Sequence, residues 1–128
     1  MKLTILIGCF NEKLTILKAI EQAKAINIDK EIIVIDNCST DGTREILESL
    51  KNDKALKIVL QPKNFGAGHT GIMGMRLAQG DYFYGPGADL EYKMDDVYKM
   101  LEEIEKDNLD VVFGSRLLDG AKVAVSPV

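Results

Sequence analysis

The chain alternates short apolar runs with stretches whose apolar residues recur at helical spacing. "KLTILI" (2–7), "EIIVID" (31–36), "LKIVLQ" (56–61), "YFYG" (82–85) and "DVVFGS" (110–115) are apolar, β-branched or aromatic runs, the pattern of buried strands. Between them, Leu14, Leu17, Ile20 and Ala23 mark a helix over 12–26. Ile46, Leu47 and Leu50 mark a second helix, which Ser39 or Thr40 can cap. Pro62 stops the third strand, and 65–79 reads as a glycine-rich turn opening a third helix. Val97, Met100, Leu101 and Ile104 face inward on a fourth helix over 95–106. Strands alternating with helices imply βαβ units and an α/β fold, a three-layer α/β/α sandwich with a mainly parallel sheet. No repeat or low-complexity linker interrupts the pattern, so 1–128 reads as a single domain, with 117–128 a tail of no clear element.

In such sheets ligands bind outside the carboxyl ends of the strands. Gly8-Cys9-Phe10-Asn11-Glu12 follow the first strand, and Asp36 to Gly42 end the second. Asn64-Phe65-Gly66-Ala67-Gly68 follow the third, and Gly85 to Glu91 the fourth. Polar, acidic and glycine residues therefore gather on one rim, which marks a site as well as a core. "GAGHTG" (66–71) has dinucleotide-type spacing, but Pro62, Lys63, Asn64 and Phe65 separate it from its strand, a poor fit to a nicotinamide or flavin site. The same residues suit a flexible loop opening a helix, or backbone N–H groups that meet an anion. "DNCSTDGT" (36–43) is a strand-end acid and a capped helix start, with Asp36 and Asn37 available to a ligand. "GADLEY" carries Asp89 and Glu91. They suit a hard divalent cation that completes its shell with substrate phosphates, or an acidic turn capping the next helix.

Composition narrows the picture. The chain is 46% hydrophobic and 28% charged, with net charge -4 and scattered basic residues. That suits a soluble globular core and excludes the basic footprint of a nucleic-acid binder. No apolar run approaches the roughly 20 residues of a membrane span, and the apolar opening before Glu12 is too short for a signal peptide. The expectation is a cytoplasmic protein, or the soluble part of a larger one. His69 is the one histidine and reads as a partly exposed residue in a helix's first turn; no Ser-His-Asp, Cys-His or zinc arrangement is available. Cys9 and Cys38 read as free thiols, near one another and near the rim.

Taken together, the motifs resemble the family 2 glycosyltransferases of GT-A fold, above all the polyprenyl (dolichyl) phosphate mannose or glucose synthase group. "LTILIGCFNE" is similar to an opening that usually reads "IPCFNE" or "IPAYNE", and "EIIVIDNCSTDGT" to "EIIVVDDGSTDGT". "NFGAGHTGIMGMRLAQGDY" resembles "NRGKGAALRTGIRAATGDY" without a gap. "GADLEY" stands where "DADLEY" is usual, and "DVVFGSR" is similar to "DVVYGSR". The resemblance covers nearly the whole chain and absorbs the glycines of 66–71, which disposes of the dinucleotide reading. It implies a nucleotide-diphosphate sugar as donor, Mg2+ or Mn2+ bridging the diphosphate, and inverting displacement at the anomeric carbon. By position, Phe10 and Glu12 would flank base and ribose, Asp36 and Asn37 would meet the base edge, and Gly68 would let the backbone approach the donor. Ala88 and Asp89 would lie at ribose and metal, Glu91 would be a further metal ligand, and Arg116 would meet phosphate.

Three departures from the pattern matter: Gly8 for proline, Asn37 for the second aspartate, and Gly87 for the first acid of D-x-D. Relatives continue past "GSR", so the resemblance also implies that the acceptor part and its catalytic base are missing here. Asp119 carries little weight as that base. A catalytically inactive nucleotide-binding or interaction module is the alternative. A sugar nucleotidyltransferase fits poorly, because "GCFNEK" has one glycine and no arginine. Apolar surface left open near "DVVFGS" and "KVAVSPV" is expected to bring the tail against a second copy, as a homodimer, or to leave it without order.

Overall fold

The computed structural model describes residues 2–90 and 93–110 and the backbone of the strands Val112–Gly114 and Val123–Val125. Glu91, Arg116, Asp119 and the rest of the tail apart from Val123–Val125 lie outside the described residues. Contacts divide the chain into two units, Met1–Glu91 and Tyr92–Val128. The first unit runs β1 (Leu3–Cys9), α1 (Ile16–Ala25), β2 (Lys30–Asp36), α2 (Thr43–Ser49), β3 (Leu56–Leu60), α3 (Ala67–Leu77) and β4 (Tyr82–Tyr84). Its strands form one four-stranded sheet in the order β3-β2-β1-β4, with every pairing parallel. The α/β reading with a parallel sheet is borne out.

The topology follows from the connections. Right-handed crossovers from β1 to β2 and from β2 to β3 step one way along the sheet, and place α1 and α2 on one face. The crossover from β3 to β4 steps back past β1, and places α3 on the other. Packing agrees: Met73 and Leu77 of α3 lie against Leu6, Ile33 and Ile35, with Val59 and Phe83 beside them. Alternation turns Ile5, Ile7, Ile32 and Val34 to the opposite face, and all are at most 2% exposed. The central strands β1 and β2 are mostly apolar on both sides because both faces are covered.

The second unit holds α4 (Asp96–Asp107), β5 (Val112–Gly114) and β6 (Val123–Val125). Val97 and Leu101, two of the four expected inward residues, are buried. β5 pairs antiparallel with β6 in a sheet of its own. It therefore does not extend the parallel sheet, and "VAV", which showed no element in the sequence, supplies its partner.

α1 also departs from expectation. It begins at Ile16, and its buried face is Ile16, Ala19, Ile20 and Ala23. Leu14 is 95% exposed and Leu17 48%. The backbone N–H groups of Glu12 and Lys13 are held by Thr43 Oγ1 at 3.0 Å and Asp41 Oδ2 at 3.2 Å. That claims 12–14 for a loop, and the helix starts only once the loop has turned.

Two glycines set the approach of α3 to β1. A Cβ on Gly8 would stand 3.0 Å from the methyl of Thr70, and one on Gly74 would stand 2.5 Å from Leu6 Cδ2. In β1, then, Gly8 makes room for the helix. Gly74→Ala should lower stability by about 1–3 kcal/mol through overpacking, outweighing the roughly 1 kcal/mol by which alanine favours a helix. Urea unfolding measures it, and an unchanged or raised midpoint contradicts this packing.

Candidate functional site

β1 outlasts its edge neighbour. Its pairing with β4 ends at Ile5 opposite Tyr84, while β1 continues to Cys9. Beyond that point the β4 chain turns away through Gly85-Pro86-Gly87. A cleft of about 300 Å³ lies there, lined by Leu6, Gly8, Cys9 and Phe10 from β1 and its loop, and by Asn37 at the end of β2. Ala67, Thr70 and Gly71 of α3, with Gly85 and Gly87, complete it. This is the switch point of the sheet, where connections leave in opposite directions and a crevice opens at the carboxyl ends.

The loops after β1 and β2 are tied by side chains of "STDGT". Asp36 is fully buried. Its carboxylate accepts from the Ser39 N–H at 3.1 Å and the Ser39 hydroxyl at 2.5 Å, with Arg44 Nη1 at 3.4 Å and the Cys9 thiol at 3.7 Å. Ser39 Oγ accepts from the Asn11 N–H at 2.8 Å, and Thr43 Oγ1 donates to Asp41 at 2.5 Å. Asn11, at φ 53°, accepts the Thr40 N–H at 2.8 Å. Ser39 or Thr40 was expected to cap α2. Instead α2 begins behind Gly42 with no side-chain cap, and the Ser39 and Thr43 hydroxyls hold the β1 loop. The Thr43 hydroxyl keeps the Asp41 carboxyl below its ordinary range.

Asn37 is engaged on both sides of its amide. Nδ2 donates to Asn64 Oδ1 at 2.7 Å, and Oδ1 accepts the Phe65 N–H at 2.9 Å. Asn64 Oδ1 also accepts the Gly66 N–H at 2.8 Å, which fixes it as the acceptor end. An aspartate at 37 could not donate, so this departure has a local cause. Cys38, where the family pattern has glycine, sits at φ 65°, a region that disfavours side chains. Both cysteines are free thiols. Cys9 faces Ile35 and Asp36, and burial followed by the Asp36 charge pushes its thiol well above the ordinary range. Cys38 turns instead to the Pro62 carbonyl.

Of the other expected site residues, Phe10 stands at the cleft, 44% exposed. Glu12 is half-buried beside Thr15 at 3.1 Å, and the same hydroxyl reaches the Ala88 carbonyl at 2.6 Å. Thr15 thus docks the loop after β4 onto the start of α1. Gly68 has open space around it. Asp89 is exposed, and a Cβ on Gly87 would stand 3.7 Å from its Oδ1. An acid at 87 would therefore point at Asp89, but Gly87 has φ 80°, and a side chain there costs about 1–2 kcal/mol. Among the described residues no group of three or more His, Cys, Asp or Glu could hold an ion unaided. The structure brings Phe10 and Asn37 together at the cleft, turns Asp36 inward behind them, and sets Ala88 under Thr15. Cys9, placed near the rim from the sequence, lines the cleft; Thr70 and Gly71 line it without having been given a role, and their signal was position on one face of the helix opposite.

The family profile of glycosyl transferase family 2 matches residues 4–125. The chain belongs to that family. A dolichol-phosphate mannosyltransferase of Pyrococcus furiosus is 31% identical over 126 residues, covering 96% of this chain and 35% of the relative. The succinoglycan biosynthesis protein ExoO of Rhizobium meliloti is 29% identical over 117 residues, 85% of this chain and 33% of its own. The chain spans about a third of the length of these curated relatives. S. aureus TarS 1-349 in complex with UDP superposes with TM-score 0.73 at 22% identity, covering 98% of this chain and 39% of that one. The mannosyltransferase PcManGT of Pyrobaculum calidifontis, in complex with GDP-Man and Mn2+, gives 0.70 at 22% identity, covering 88% of this chain and 33% of that one. These neighbours carry the GT-A fold, as expected from the motifs.

Two outcomes test the loop chemistry. Asn37→Asp should cost about 1–3 kcal/mol at neutral pH, because it sets a carboxylate against the Asn64 acceptor; a stability equal to the parent's would remove the role given to the amide. For Asp41, a lowered folded pKa means stability present above its unfolded value of 3.8 and lost as pH falls below it. Asp41→Asn should therefore flatten the acid limb of stability below about pH 4 and leave the slope at neutral pH unchanged, as read from urea midpoints across pH.

Proposed function

We propose that the chain is the donor-binding part of an inverting glycosyltransferase. It takes a nucleotide-diphosphate sugar in the cleft and passes the sugar to an acceptor, a polyprenyl phosphate or a polysaccharide. The observation that carries this reading is the place of the cleft: the switch point of a parallel sheet, with an exposed aromatic ring on one side and the open, glycine-bearing start of α3 on the other. The solved neighbours TarS and PcManGT, which hold UDP, UDP-GlcNAc and GDP-Man, support it.

In this reading the Phe10 ring packs on the base, and Glu12 reaches the ribose. Asn37 meets the base edge with the amide hydrogen that Asn64 leaves over. Asp36 acts from behind, shaping the wall through Ser39 and Arg44. The bare backbone at Gly68 lets the donor come close, and Ala88 borders the ribose. Asp89 supplies a hard oxygen to Mg2+ or Mn2+, which would draw charge from the leaving diphosphate when bound. Glu91 adds a further oxygen, and Arg116 offers a planar fork to phosphate. A protein with this role works at the cytoplasmic side, is drawn to a membrane by its acceptor, and pairs as a homodimer through its tail. Among the described residues no helix is long and apolar enough to cross a membrane.

The conformation of Gly87 favours a second reading, a module that binds the donor without turning it over, since the backbone there disfavours the second acid. Calorimetric titration with UDP, GDP and their sugars, with and without Mn2+, tests the first reading. Binding should tighten with Mn2+, and Asp89→Ala should remove at least about tenfold of that gain. No nucleotide binding at millimolar concentration, or a gain untouched by Asp89→Ala, contradicts it. Binding without release of free nucleotide from the sugar donor, in the presence of acceptor, selects the second reading.

A further inference from the structure

The outward face of α3 is apolar where a surface helix is usually charged. Thr70, Met73, Gly74 and Leu77 already serve the core. Ile72 and Met75 point away from it, 56% and 61% exposed. Phe65, 41% exposed, extends the same ridge, because its ring stacks on His69 one turn earlier at 4.6 Å. Lys63 lies 5.0 Å over that ring, and Arg76 is exposed further along.

The charge around this ridge is one-sided. From Lys54 to Gly80 the chain carries Lys54, Lys57, Lys63 and Arg76 and no aspartate or glutamate, although the whole chain has net charge -4. Asp81 follows directly and accepts the Lys2 N–H at 2.9 Å, and Glu31 is a second carboxylate at the far end of α3. It accepts from the Thr4 hydroxyl and the Gln79 N–H, and stands near Lys2 and Lys57. The exposed apolar area is on the order of 300 Å², well short of the roughly 800 Å² per partner of a stable dimer. A few apolar side chains flanked by cations suit a lipid surface better, where each need only reach the headgroup–acyl boundary.

We propose that this face docks the protein on an anionic lipid surface. Ile72, Met75 and Phe65 enter the interface, and Lys63 and Arg76 meet headgroup phosphates. None of Lys63, Phe65, Ile72, Met75 and Arg76 lines the donor cleft. The full chain has no tryptophan, so Met75→Trp gives a single reporter. Its emission should shift to the blue with mixed phosphatidylserine–phosphatidylcholine vesicles and stay unchanged with phosphatidylcholine alone. Sedimentation with the mixed vesicles should fall about tenfold or more in the double variant Ile72→Glu, Met75→Glu, and about fivefold for each of Lys63→Gln and Arg76→Gln. The double variant should keep the parent's urea midpoint, since neither side chain serves the core. No partition to anionic vesicles overturns the proposal, as does partition indifferent to the double variant. Concentration-dependent self-association by light scattering, abolished by the double variant, would assign the face to a second copy instead and overturns it too.

Discussion

The Asp36 carboxylate is the charge around which the rim is built. A buried charge is tolerable only when donors surround it. Here they come from three places: Ser39 in the following loop, Arg44 on α2 and the thiol of Cys9 on the neighbouring strand. Each donor has a second task. Ser39 also receives the Asn11 N–H, and Arg44 Nη1 also donates to the Gln61 carbonyl at 2.7 Å. The ends of β1, β2 and β3 are thereby referred to one anion. The cleft wall is preorganised by the protein's own electrostatics before any ligand arrives.

Burial and period made most of the first unit legible. Short β-branched apolar runs read as strands covered on both faces, and their alternation with helical spacing leaves few topologies once crossovers are right-handed. The rim was legible for the same reason, since polar residues at strand ends have no core to serve. What escaped the sequence was which partner a polar group would choose. Ser39 and Thr40 look like helix caps because capping is local, but the β1 loop, far away in sequence, brought its Asn11 N–H to the Ser39 hydroxyl. Leu14 fits a helical stripe and lies outside the helix for that reason. β6 escaped because a strand of three residues has no period to read.

Asn37 and Cys38 show how neighbouring departures from a family pattern differ in kind. The amide at 37 is explained by two hydrogen bonds that an aspartate could not make together. The side chain at 38 is carried against backbone preference, with only a weak contact from sulfur to the Pro62 carbonyl in return. Nothing else in the structure explains the cysteine.

Gly8 and Thr70 divide one space between strand and helix. The volume absent at Gly8 is occupied by the Thr70 methyl. A larger residue placed on the strand first crowds that methyl, while giving up the methyl first passes through a cavity instead of a clash. The two positions are therefore not free to drift separately. Of the two orders that lead from this strand end to that of the proline-bearing relatives, the one that begins on α3 avoids the crowding.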